Sequence, residues 1–258
     1  MTDKEQRTAV VTGGLAGVGL AISQALLAAG MKVVIGTRRG GNAEVRAAAL
    51  RDLGPGVHVY PLDVRDEASV AAFYDTVTQD IGPIDVLVNS AGVTAHQTIS
   101  GHTLSAWHDV IETNLTGPFL TMRACLPAMK ARGWGRIVNI ASTAARTAVA
   151  DHPAYCASKA GLLGLSRAAA LEGAPHGVSC VTVSPTWVET DMLRESAATM
   201  ARANGHPVAD EMAALAAANP QNRLVQPQEI AALVAFLCSD VAPALTMEDI
   251  SVNAGAHW

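Results

Sequence analysis

The chain has 258 residues, of which 50% are apolar, 16% charged and 4% aromatic. That excludes a mainly disordered chain and fits a helix-and-sheet core of Ala, Val and Leu in one domain spanning 1–258. Eighteen Lys and Arg against twenty-three Asp and Glu leave a net charge of −5, with no run of five like charges, so composition points to neither a nucleic-acid nor a membrane partner.

Residues 1–7 are polar and lead into a short apolar run that Thr12-Gly13-Gly14 interrupts. Neither a signal peptide nor a spanning helix is expected, and the protein is expected in the cytoplasm. Strands are predicted at 8–13, 32–36, 57–60, 84–89, 135–141, 178–184 and 250–253, nearly all unbroken apolar runs. Such runs are expected where helices cover both faces of a sheet. Seven strands alternating with helical stretches predict an α/β fold, a Rossmann-type doubly wound parallel sheet.

After the first strand, Gly13-Gly14-Leu15-Ala16-Gly17-Val18-Gly19 opens a helix predicted over 18–29, which Gly30 stops. Glycines there either close a tight turn or let a pyrophosphate approach the helix N-terminus. No Gly-Lys-Ser/Thr follows, so a P-loop is excluded. The second strand runs out into Thr37-Arg38-Arg39, with no carboxylate for a free ribose 2′-hydroxyl. The two arginines suit a 2′-phosphate, or else are a solvated pair at a strand exit.

A helical stretch from 103 to about 130 carries a polar break, Glu112-Thr113-Asn114-Leu115-Thr116. At its end Lys130 and Arg132, with nearby Arg136, either dock a carrier-bound thioester or complement the helix dipole. Ser142 follows the fifth strand at the carboxyl edge, where open α/β sheets place ligands. Thirteen residues on, Tyr155-Cys156-Ala157-Ser158-Lys159 puts a phenol and an ammonium on one helical face. The segment 186–222 breaks the alternation with two short amphipathic helices, near 192–202 and 209–218, and is a candidate substrate lid.

Cys125, Cys156, Cys180 and Cys238 show no C-x-x-C spacing and are expected as reduced thiols. The histidines at 96, 102, 108, 152, 206 and 257 show no metal-ligand spacing, so no metal site is expected. His152, Trp187, Met192, Met212 and His257-Trp258 are candidates for the pocket wall or plain packing.

With Thr12-Gly13-(3)-Gly17-Val18-Gly19, Asp63-Val64, Asn89-Ser90-Ala91-Gly92, Asn114, Ser142, Tyr155-(3)-Lys159 and Pro185-Thr186-Trp187-Val188-Glu189-Thr190 in this order, the whole chain resembles the short-chain dehydrogenase/reductase family. Its middle resembles the 3-oxoacyl-thioester and polyketide ketoreductases. The resemblance implies an Asn114, Ser142, Tyr155 and Lys159 tetrad working with a nicotinamide cofactor, and the arginines after the second strand make the expected one NADP(H). It places Asp63 and Val64 at the adenine, Asn89 behind the cofactor, and Lys159 on the nicotinamide ribose. It extends the cofactor surface over Gly13, Leu15, Gly17, Val18, Gly19, Thr37, Arg38, Arg39, Ala91, Gly92, Pro185, Thr186, Val188 and Thr190, and it implies a homotetramer.

Three positions depart from the family pattern: Ser90 for a second Asn, Thr186 for the Gly after Pro185, and Leu245-Thr246-Met247-Glu248 for a Thr-Gly pair before the last strand. Either Thr186 is strained at positive φ, or its loop has re-formed around an ordinary one. The expected activity is reduction of a small-molecule ketone. An oxidative dehydrogenase acting on a hydroxyacyl thioester, sugar or cyclic alcohol, and a non-catalytic sensor of NADP(H), are the alternatives.

Overall fold

The computed structural model describes residues 6–256; the terminal pair His257-Trp258 lies outside the described residues. The strands are β1 (Thr8–Thr12), β2 (Lys32–Thr37), β3 (Val57–Pro61), β4 (Val86–Asn89), β5 (Gly135–Ile140), β6 (Val178–Pro185) and β7 (Asp249–Val252). All pair in parallel, in the order β3-β2-β1-β4-β5-β6-β7. Each predicted strand is present, its ends moved by no more than two residues.

The helices are α1 (Gly17–Ala28), α2 (Ala43–Leu53), α3 (Glu67–Asp80), α4 (Leu104–Ile111), α5 (Gly117–Arg132), α6 (Pro153–Gly173), α7 (Asp191–Asn204), α8 (Val208–Ala217) and α9 (Pro227–Leu237). The inner strands β1, β2, β4, β5 and β6 are buried on both faces, because successive side chains go to opposite sides and helices cover both, while the edge strands β3 and β7 are only partly buried. Val11, Val33 and Ile35 pack with Ile22 and Leu26 of α1 and Ile230 and Val234 of α9. Val10, Val34 and Leu87 pack on the other side with Phe73 and Val77 of α3 and Leu126 and Met129 of α5. Each such side chain, fully withdrawn from water, contributes about 1.5–3 kcal/mol.

Gly30 ends α1 at φ +81°, as its position predicts. The stretch predicted as one helix with a polar break is α4 and α5 joined by a π-helical turn, Glu112–Thr116, carrying Asn114. A π turn admits one extra residue without ending the helix, so the polar break and the continuous helix are both correct.

The chain leaves β1 toward β2 and β3, then returns to β4 on the other side, so loops diverge from the carboxyl ends of β1 and β4. Thr12 stands opposite Asn89, and its Oγ1 accepts from the Ser90 and Ala91 backbone N–H groups at 3.1 and 3.0 Å. This is the crevice where doubly wound sheets bind ligands.

No two cysteines pair, and burial pushes the thiols of Cys125, Cys180 and Cys238 up to about 12, which makes them inert. The basic cluster is divided among separate partners. Lys130 pairs with Glu172 at 2.9 Å, Arg132 donates to the Ile84 carbonyl, and buried Arg136 donates to Gly135 O at 2.8 Å against the Trp134 ring. It offers no shared docking surface.

Candidate active site

A cavity of about 850 Å³ opens at the switch point. One end is a cradle that only glycine builds. Gly13 and Gly17 hold φ of +69° and +50°, and a Cβ on Gly19 would stand 2.4 Å from Gly13 O. Ala16 at the N-cap of α1 supplies no side-chain acceptor, so the first-turn N–H groups of α1 have no cap. An uncapped helix N-terminus with no Cβ in the way fits a pyrophosphate.

Thr37 and Arg38, at the end of β2, also line this cavity. Asp63 faces it too, but its carboxylate is held by Arg65, at 3.0 Å to Nε and 2.8 Å to Nη2. Those bonds, with a smaller contribution from the Arg38 charge, keep Asp63 below the usual carboxylate range. With this carboxylate engaged and none on β2, the residues present fit a 2′-phosphorylated dinucleotide.

At the other end of the cavity stand Ser142, Tyr155 and Lys159. Ser142 caps a short turn past β5, its Oγ accepting from Ala144 N at 3.1 Å, and its hydroxyl acts to lower the pKa of the neighbouring Tyr155 phenol. Burial raises the phenol above its usual range and outweighs that effect, so Tyr155 stays protonated at neutral pH. Lys159 donates to Ile140 O at 2.7 Å, its Nζ 5.6 Å from the centre of the Tyr155 ring. Burial lowers its pKa to about 8. The site therefore holds a neutral proton donor beside an ammonium that can itself titrate.

Asn114 is buried behind this group, outside the cavity wall. Its Oδ1 accepts from Val93 N at 2.9 Å, and its Nδ2 donates to Val93 O at 2.9 Å and to Ser158 Oγ at 3.2 Å. A Cβ on Gly92 would lie 3.4 Å from Asn114 Oδ1 and 3.8 Å from Lys159 Nζ, so Asn114, Gly92 and Lys159 come together.

Of the remaining cofactor-surface residues, Val18, Val64, Ala91, Pro185, Thr186, Val188 and Thr190 line the cavity. Three do not. Leu15 packs on the apolar core beside α1, Arg39 points to solvent from the turn after β2, and Asn89 is buried, accepting from Thr121 and donating to Asn139. The hydrogen bonds of Asn89 are those of a framework residue.

Thr186 is not among the four non-glycine residues at positive φ in the described chain, Asp151, Asn222, Met247 and Ala254. Its loop has re-formed, while Met247 keeps the left-handed conformation. Trp187, Met192 and His152 line the cavity, whereas Met212 packs in a small cluster with Leu193 and Leu215 of the 186–222 segment and with Leu224 just beyond it. The motifs do not mark the walls at 93–95 and 147–150; only their closeness to Asn89 and Ser142 in sequence hints at them.

The sheet order and this crevice define the class, the dinucleotide-binding α/β oxidoreductases. More narrowly, the chain belongs to the short-chain dehydrogenase family, whose model matches residues 7–201. It is 37% identical to the 3-oxoacyl-[acyl-carrier-protein] reductase FabG of Salmonella typhimurium, over 98% of each chain. It is 38% identical to an acetoacetyl-CoA reductase of Rhizobium meliloti, over 98% of this chain and 99% of that one. Among solved structures, an actinorhodin polyketide ketoreductase variant with NADPH superposes with a TM-score of 0.93, at 34% identity over 99% of both chains.

Proposed function

We propose that the protein is an NADP(H)-dependent ketone reductase of the 3-oxoacyl type, with Ser142, Tyr155 and Lys159 as catalytic residues and Asn114 positioning them. The observation that carries this reading is that Ser142, Tyr155 and Lys159 line the same cavity as the glycine cradle. Reductases of 3-oxoacyl and acetoacetyl thioesters are among its relatives, which supports the substrate class.

When bound, the reduced nicotinamide supplies the hydride. Ser142 donates a hydrogen bond to the ketone oxygen and holds it against the phenol. As negative charge develops there, Tyr155 gives up its proton and the product leaves as the alcohol. The ammonium of Lys159 stabilises the phenolate left behind, and Asn114 keeps the backbone at Val93 in place beside it. Arg38, which lines the same cavity, would hold the 2′-phosphate. The helices α7 and α8 form the lid, with Met192 and Leu193 facing the cavity. A cytoplasmic homotetramer belongs to the same reading. The exposed Trp107, Phe119 and Leu171 on α4, α5 and α6 support association. Among the described residues no helix is long and apolar enough to cross a membrane.

The test is kcat/KM for acetoacetyl-CoA with NADPH and with NADH, in wild type and Arg38→Ala. A hydrogen bond to a charged group is worth about 1.5–3 kcal/mol, so the wild type favours NADPH and the variant loses that preference by roughly 10- to 150-fold. Equal use of both dinucleotides by the wild type contradicts the cofactor assignment.

A further inference from the structure

One side chain of the cavity wall, His152, takes no part in the steps above. The backbone turns left-handed at Asp151, φ +59°, before Pro153 opens α6, so His152 occupies the N-cap of that helix. It is 5% exposed, and its ring centre lies 6.5 Å from that of Tyr155. Gln97 N donates to Asp151 O at 2.7 Å, fixing this loop and bringing His96 edge-on to His152 at 5.0 Å. Positive φ at a non-glycine residue is costly and recurs where a chain is bent to hold a ligand.

His152 Nδ1 lies 2.7 Å from Ala150 O. A carbonyl only accepts, so Nδ1 carries the proton and the neutral ring leaves Nε2 as a bare acceptor. No hydrogen bond from a described residue reaches Nε2, and burial holds the imidazole below its usual range, neutral at pH 7. The cavity thus presents at His152 an acceptor that no described residue satisfies.

We propose that His152 is a specificity-determining residue whose Nε2 accepts a hydrogen bond from a hydroxyl that the substrate carries beside its ketone. The proposal rests on the ketone-reductase reading of the same cavity and goes beyond its 3-oxoacyl class, whose simple members carry no hydroxyl beside the ketone. With the ketone at Tyr155, a hydroxyl on an adjacent or next-but-one carbon comes beside the imidazole. Hydroxyketones are then favoured over ketones of equal size that lack a donor.

The experiment compares kcat/KM for hydroxyacetone and butanone, with NADPH, in wild type, His152→Leu and His152→Gln. The preference for hydroxyacetone falls roughly tenfold in His152→Leu, the worth of one hydrogen bond, and is partly restored in His152→Gln, which keeps an acceptor. An unchanged ratio, or an equal loss on both ketones, overturns the proposal. A second readout needs neither turnover nor a variant. In the nitrogen-15 spectrum of the wild-type histidines, hydroxyacetone moves the Nε2 resonance of His152 and butanone does not; equal movement, or none, overturns it. Failure of the wild type to reduce either ketone or acetoacetyl-CoA counts against the reductase reading instead, and the spectrum still decides the role of His152.

Discussion

Met247 shows how a single residue can hold a conformation unsuited to it. Its φ of +67° is fixed on both sides, by its own N–H donating to Cys180 O at 2.8 Å and by Thr246 Oγ1 accepting from Cys180 N at 3.1 Å. A left-handed non-glycine residue costs about 1–2 kcal/mol. Glycine there gives back about 0.5–1 kcal/mol through the greater freedom of the unfolded chain. Met247→Gly is therefore stabilising by roughly 0.5–1 kcal/mol, a rise in Tm of about 1–4 °C in a chain of this size, read by thermal denaturation. A lower Tm would mean that packing by the half-exposed Met247 side chain outweighs the strain. The position was legible as a departure from the family pattern; the sign of its φ was not, because the hydrogen bonds that impose it come from β6.

At the scale of elements, the base of the 186–222 segment carries the opposite expectation. Thr186 has an ordinary φ, and its Oγ1 lies 3.5 Å from Asn219 Oδ1, whose amide nitrogen donates to Arg223 O at 2.7 Å. This chain of contacts ties the end of β6 to the segment after α8. Thr186→Gly removes the tie and adds about 1 kcal/mol of backbone entropy, so Tm falls and cofactor affinity does not improve. A more stable variant that binds NADPH at least as tightly would show Thr186 to be strained after all. The strands and the glycine cradle were legible because burial on both sheet faces and close backbone approach each demand particular residue types. The π turn at Asn114 was not, since Glu112-Thr113-Asn114-Leu115-Thr116 reads as a break whichever way the ladder shifts. Nor was the pairing of Asp63 with Arg65, or the packing of Leu15 on the core, both of which depend on neighbours in space.

For the whole molecule, the buried ammonium of Lys159 is a cost to the fold. Burial lowers the Lys159 pKa from 10.5 to about 8, so between these values the unfolded chain binds more protons than the folded one. Stability from this group therefore rises with pH across that window, and below pH 8 the full penalty, roughly 3 kcal/mol, is present. Lys159→Met is correspondingly more stable relative to wild type at pH 7 than at pH 10. Denaturant unfolding of both proteins across this range reads the gap, and a gap independent of pH would show that the ammonium is not penalised by burial. The Ile140 carbonyl, which loses its donor in the variant, shifts both ends of the comparison alike.

The central claim is that the phenol of Tyr155 delivers the proton, and replacing it with phenylalanine tests this most directly. Tyr155→Phe removes the phenol hydroxyl that faces the cavity with Ser142, and little of the packing in α6. The measurement is single-turnover NADPH oxidation by acetoacetyl-CoA, with NADPH affinity determined separately by fluorescence titration. Affinity within a fewfold of wild type together with loss of nearly all turnover is the expected result. Retention of more than about a tenth of the wild-type rate, a loss under ~1.4 kcal/mol, would contradict it and assign the proton to another group.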